Sequence, residues 1–244
     1  MNKPVLISDL SFQKAWLKAS KCVADNQWEM HNLLVSIEDV SLFDNDMHQE
    51  ICAFSNSVGL LGPKHVAYTI FPHKQYKGQG TATRLYENYN KHNGFYDWTR
   101  KRTRSGWGTY FRRMTQYEIQ GKPPVNQLNE IITAINSRQH TYKAAYTIVI
   151  QKPGRETIRP LGGPCLNYIA VQGKSGLPRK LDLLCVYRNH DFLERAYGNY
   201  WGLCNLARFI AKETESDCGS ITCISSHAYV DKHKEMFRKF LEAN

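Results

Sequence analysis

No apolar run in the 244-residue sequence approaches the length of a membrane-spanning helix, so a helical integral membrane protein is not expected. The opening residues MNKPVLISDLSF lack a basic head followed by a long apolar stretch, so no leader is expected and the chain reads as cytoplasmic. Internal repeats and low-complexity tracts are missing too, which argues against a solenoid or a linker. Acidic residues are the scarce charge, 22 against 32 basic ones, leaving a formal net charge of +10. The seven cysteines are odd in number and scattered, which suits a reducing compartment better than a disulfide frame. Cys218 and Cys223 are too far from other paired Cys and His to suggest a zinc site, so no metal is expected.

The residues present are ordinary for a globular chain: 42% hydrophobic and 22% charged, enough for a sizeable core in a single domain over residues 1–244. The basic excess fits either a nucleic-acid surface or a cleft that attracts phosphorylated small molecules. Its densest cluster, Arg100 to Arg104, is flanked by Trp98 and Trp107. Aromatic interleaving of that kind suits stacked bases, although a solvated loop is the commoner meaning and a phosphate-facing loop the other alternative.

Helical spacing of apolar residues predicts helices over Phe12 to Ala24 after a capping Ser11, Thr81 to His92, Val125 to Asn136 and Leu203 to Ile210, with a charged helix over Val230 to Leu241. Strands are expected at Asn32 to Val40, Ile51 to Leu61, His65 to Phe71, Ala144 to Gln151, Leu166 to Val171 and Leu181 to Tyr187. Lys74 to Gly80 and Phe95 to Gly108 read as loops. Mixed elements without strict alternation indicate an α+β fold, a large mixed sheet with helices on one face.

One stretch combines turn chemistry with reactive groups. Gly162, Gly163 and Pro164 force a turn before Cys165, and the strand pattern Leu181 to Tyr187 ends at Arg188. A guanidinium near a thiol favours the thiolate, the nucleophilic form, and can bind an anion. The bland alternative makes Cys165 one more small core residue and Arg188 a surface charge.

The order of the residues downstream favours the first reading. Pro164-Cys165, then Tyr187-Arg188-Asn189-His190-Asp191, Asn199, an apolar helix and His227-Ala228-Tyr229 resemble the thymidylate synthase family, well over the C-terminal half and faintly over the N-terminal half. That family typically has Gln-Arg-Ser-x-Asp at 187–191. The resemblance implies that Cys165 adds to C6 of a pyrimidine ring, and that Arg188 binds the 5′-phosphate and lowers the thiol pKa. Asp191 would face the ring of a reduced folate, 5,10-methylenetetrahydrofolate. Asn199 would read the base edge, an asparagine there pointing to uracil, while His227 and Tyr229 would hold the ribose. Gly108-Thr109-Tyr110 is similar to a family turn whose tyrosine lies near the cysteine, which offers Tyr110 for proton handling. The resemblance also implies a homodimer packed sheet to sheet, with a pyrimidine nucleotide as substrate.

The departures are equally specific. The family's adjacent arginines, which reach the partner subunit's phosphate, fall on Ala144 and Ala145, leaving Arg138 or Lys143 as substitutes. Glu87 stands, by position alone, for the glutamate that organises water. The family's long C-terminal tail has no counterpart after Tyr229, and an open site would let water capture a one-carbon adduct. Three readings stay open on the sequence: a C5 one-carbon transferase, a nucleotide hydroxymethylase, and a non-catalytic nucleotide-binding relative.

Overall fold

A computed structural model describes residues 3–137, 146–154, 156, 158, 162–174 and 179–244. Its described residues form one mixed seven-stranded sheet with ten α-helices. The strands are β1 (Val5–Asp9), β2 (Glu29–Ile37), β3 (Tyr146–Val149), β4 (Leu166–Lys174), β5 (Lys180–Tyr187), β6 (His190–Asp191) and β7 (Asp217–Tyr229). The order across the sheet is β1-β2-β7-β5-β4-β3, with β6 also paired to β7.

Strand register separates two faces, because successive side chains point to opposite sides. One row runs Val35, Cys223, Cys185, Ile169, Ile148, and every member is fully buried. The helices α1 (Phe12–Asp25), α8 (Gln127–Asn136) and α9 (Tyr197–Glu213) pack against the sheet. The neighbouring row points the other way: Leu6, Leu34, Ile224, Val186, Tyr168, Val149. All six are half-buried or exposed, so among the described residues the helices lie on one face and the other carries this apolar row beside a row rich in hydroxyls, Ser8, Ser36, Thr222 and Thr147.

Local chemistry explains most helix boundaries. Lys14 N donates to the Ser11 hydroxyl at 3.2 Å to cap α1, and Arg84 N donates to Thr81 at 3.3 Å to cap α5 (Ala82–Asn90). Four expectations from the sequence are corrected by the fold. Ile51 to Leu61, expected as a strand, lies largely in α2 (Asn45–Ser57), whose first turn donates two backbone N–H groups to the Asp44 carboxylate. His65 to Phe71 lies in α3 (Pro63–Ile70), because Pro63 sits at the first helical turn, where its missing N–H costs nothing. Lys74 to Gly80 belongs to α4 (His73–Gln79), closed by Gly80 at φ 77°. Phe95 to Gly108 begins with α6 (Phe95–Thr103), so Arg100, Lys101 and Arg102 sit in a last turn where cations complement the helix dipole. The remaining helices are α7 (Tyr110–Thr115) and α10 (Lys234–Ala243).

Helices α3 and α9 approach closely through glycine. A Cβ at Gly198 would lie 2.5 Å from Val66 Cβ, and one at Gly202 would lie 2.9 Å from Ile70 Cβ. Gly198 immediately precedes Asn199, so this contact sets where the amide stands.

Candidate active site

The site forms where the sheet is interrupted. β5 runs parallel to β7 as far as Tyr187 opposite Ser225, leaves it over Arg188 and Asn189, and returns as β6, with His190 opposite Ala228 and Asp191 opposite Tyr229. The adjacent strand is irregular too: register shifts between Leu166 and Tyr168, so Asn167 is an extra residue, as in a bulge. Its Oδ1 accepts from Arg188 N at 3.1 Å.

These irregularities fix the cysteine turn from both sides. Gly162 has φ 73°, in the left-handed region that glycine reaches without strain. Cys165 O accepts from Arg188 N at 2.9 Å, and Arg188 Nε donates to Pro164 O at 3.0 Å. The Tyr110 hydroxyl accepts from Cys165 N at 3.3 Å and from Leu166 N at 3.4 Å. The turn is thus clamped between a guanidinium and a phenol, and Cys165 opens on a cavity of about 300 Å³.

Burial decides the state of the thiol. It pushes the Cys165 pKa above the ordinary cysteine value, against the opposing pull of Arg188 and Arg195, with Asp191 adding to the rise. Burial also raises Tyr110, which stays a phenol at neutral pH. The Asp191 carboxyl is pushed up to about 6 by burial, although Leu193 N and Glu194 N donate to its Oδ1 at 2.9 and 2.8 Å. Those bonds cap a π-helical turn, Phe192–Ala196, which leads into α9. Such turns recur at functional sites.

The cavity brings together Tyr110, Cys165, Asp191, Asn199 and Tyr229, all expected from the sequence. It adds Asn189, His190, Glu194, Arg104 and Arg195. Among the described residues, the arginines that line it are Arg104 and Arg195, while Arg188 is held at the cysteine turn, its Nε donating to Pro164 O. Arg104 is the one member of the basic cluster that turns into the site, as the left-handed residue closing α6 at φ 51°.

Other expected residues lie elsewhere. His227 is one step back, its Nδ1 2.7 Å from Asn189 Oδ1 and its Nε2 2.9 Å from Glu29 Oε1, with its ring stacked 5.1 Å from that of Tyr229. Glu87 is exposed on α5, away from the cavity, so its assignment as the water-organising glutamate is corrected. Arg138 and Lys143 lie outside the described residues. Asn189 and His190 occupied the spacer positions of Tyr-Arg-x-x-Asp, and Arg195 stood in no motif.

Comparison with known proteins points the same way. The chain is 28% identical over 135 residues to a protein of Methanocaldococcus jannaschii named putative thymidylate synthase. The likeness is to a thymidylate synthase-like sequence. It covers 54% of this chain and 59% of the relative, so the chain spans about three fifths of the length of the curated relative it matches. No family model matches the chain.

Asn199 completes the site from α9. It is 3% exposed, and its Nδ2 lies 3.2 Å from His190 Nε2. His190 is itself fully buried, with Nδ1 2.9 Å from the Ser225 hydroxyl and its ring parallel to that of Tyr187 at 4.0 Å. Burial pushes its pKa down to about 3, so the imidazole is neutral.

Proposed function

We propose that the protein is a one-carbon transferase acting at C5 of a pyrimidine nucleotide, with a uracil-type base favoured, through a covalent adduct at Cys165. The observation that carries this reading is the convergence on one cavity of a clamped thiol, a buried amide, a half-buried carboxyl and two arginines. A bare core cysteine would need none of them.

The chemistry assigns each group a task. The Cys165 thiolate forms a bond to C6, and the electron pair of the C5–C6 double bond moves toward C5 and O4, where an amide N–H of Asn199 can donate. A methylene-level carbon joined to C5 would give up its bond to the donor nitrogen, and the C5 proton would pass to water. With a hydride from the reduced donor (methyl) or a water (hydroxymethyl) added to that carbon, expulsion of the Cys165 thiolate from C6 would restore the C5–C6 double bond. Arg188 draws the thiol toward its ionised form, and Arg104 and Arg195 offer positive charge to the phosphate. Tyr110 holds the cysteine backbone, its hydroxyl accepting from Cys165 N and Leu166 N.

A reduced folate supplies the one-carbon unit when bound. The residues present suit its pterin ring, because a half-buried carboxyl such as Asp191 is an acceptor for an amino and ring N–H edge. The reading includes a homodimer formed through the open sheet face, where the apolar row from Leu6 to Val149 would be covered.

The test is release of tritium from C5-labelled deoxyuridine monophosphate with methylenetetrahydrofolate. Release is expected from the wild type and absent in Cys165→Ala. Equal release from both ends the proposal. The product mass then distinguishes methyl from hydroxymethyl, which is heavier by one oxygen.

A further inference from the structure

Asn199 faces a choice that its own chemistry leaves open. A carboxamide offers a donor and an acceptor side by side, and rotating it by half a turn exchanges them. Uracil presents an N3–H donor beside the O4 acceptor, whereas cytosine presents an N3 acceptor beside an amino donor. One amide orientation therefore matches each base, and an unrestrained amide would accept both.

The structure supplies a restraint in three linked steps. Ser225, in β7, places its hydroxyl 2.9 Å from His190 Nδ1. A neutral imidazole carries one N–H, so when Nδ1 donates to that hydroxyl, Nε2 is left as an acceptor. Asn199 Nδ2 lies 3.2 Å from that Nε2 and donates one of its two hydrogens there. The plane of the ring is held by Tyr187, on which it lies flat at 4.0 Å and 2°, and the Ser225 hydroxyl favours the side on which Nδ1 faces it. With that hydrogen engaged, the remaining N–H and the carbonyl form the free edge of the amide, in one order only.

We propose that His190, held by Ser225 and Tyr187, is a positioning residue that fixes the Asn199 amide in the orientation complementary to uracil and so sets base selectivity. This rests on the nucleotide reading of the cavity. The residue touches Asn199 rather than the reacting atoms, and its effect is read in discrimination rather than in overall affinity. His190 occupies the third position after Tyr187 in the Tyr-Arg-x-x-Asp stretch, one that the motif leaves unspecified.

Calorimetric titration of the wild type, His190→Phe and Ser225→Ala with deoxyuridine monophosphate, deoxycytidine monophosphate and deoxyribose 5-phosphate tests this. His190→Phe keeps an aromatic ring over Tyr187 but removes the acceptor. Ser225→Ala is the milder change and frees the imidazole to move its proton to Nε2, which would turn the amide over. In the wild type the uracil nucleotide binds more tightly. In both variants the uracil-to-cytosine affinity ratio falls by about tenfold or more, the scale of one hydrogen bond gained or lost, while deoxyribose 5-phosphate binding is unchanged. Unchanged ratios in both variants overturn the proposal, as does a wild type that binds both bases equally. A parallel loss for all three ligands assigns a structural role instead and also overturns it. If His190→Phe does not fold, Ser225→Ala decides alone. A wild type that binds neither nucleotide removes the nucleotide reading itself, and this inference with it.

Discussion

At Cys165 two physical effects compete, and their balance gives a measurable sign. Burial raises the thiol pKa and the nearby guanidinium groups lower it, with burial the larger. Alkylation of Cys165 by iodoacetamide, followed by peptide mass spectrometry, should therefore accelerate through pH 8 and keep rising beyond the range of an exposed thiol. Arg188→Gln removes a lowering influence, so the profile moves to higher pH and the rate at pH 8 falls, by roughly tenfold for each pKa unit gained. A profile that is unmoved, or moved to lower pH, contradicts the assigned role of Arg188. Cys185, Cys204 and Cys223 are buried and serve as internal slow controls. The turn holding this thiol was legible in Gly162, Gly163 and Pro164, whose backbone preferences act locally. Its burial was not legible, because desolvation sums over neighbours such as Tyr110 that are distant in sequence.

Asp191 carries the complementary case. Its carboxyl titrates near 6 when folded, against 3.8 for an ordinary aspartate. The folded state therefore binds the proton more tightly, and the cost of holding the ionised group is absent below about pH 4, grows between 4 and 6, and is full above 6. Asp191→Asn keeps a capping side chain and removes the half-buried charge. At pH 8 it should melt higher than the wild type, by an amount on the order of 1–3 kcal/mol or several degrees, with the gain vanishing as the pH falls toward 4. C5-tritium release should be lost in the same variant. A variant that melts lower at pH 8 would remove desolvation as the dominant influence on this group.

Between elements, one close constraint is the glycine face of α9 against α3. At Gly202 an added Cβ would stand 2.8 Å from Ala67 O and 2.9 Å from Ile70 Cβ, so the helices must part to admit a methyl group. Gly202→Ala is expected to cost about 1–3 kcal/mol despite the better helix propensity of alanine. It should also weaken nucleotide binding, because α9 carries Asn199. A melting curve at or above that of the wild type would show that the two helices yield without cost. Helix α9 was legible as an apolar periodic run, and the strands β4 and β5 as short β-rich ones. Helix α3 was not: HVAYTIF alternates like a strand, yet Val66 through Ile70 are all buried, and a segment enclosed on nearly all sides shows no amphipathic period. The break between β5 and β6 was hidden for a different reason. Arg188 leaves the sheet donating to Cys165 O, Asn167 Oδ1 and Pro164 O, and Asn189 Oδ1 is held by His227 Nδ1, and pairings of that range have no local signal.

For the whole molecule the sheet order matters most, and it is what period-2 patterning leaves open. Only when β7 is placed between β2 and β5 do Leu34, Ile224 and Val186 become neighbours, and only then do scattered half-buried residues become one apolar row. Buried helices on one side and an apolar row on the other give the sheet two faces that both favour exclusion of water. A second copy packed on the open face would satisfy the second as the helices satisfy the first. Ile224 lies near the middle of that row, on the central strand β7, so Ile224→Lys would place a charge where two sheets meet. Its side chain is half-buried in the isolated chain and points away from the helices, so the monomer can keep its fold with a lysine head in water. In sedimentation velocity the wild type should run as a dimer and Ile224→Lys as a folded monomer with an unchanged circular dichroism spectrum. A wild type that sediments as a monomer across micromolar concentrations would leave the apolar row without the partner assigned to it. A variant that stays dimeric would place the contact elsewhere.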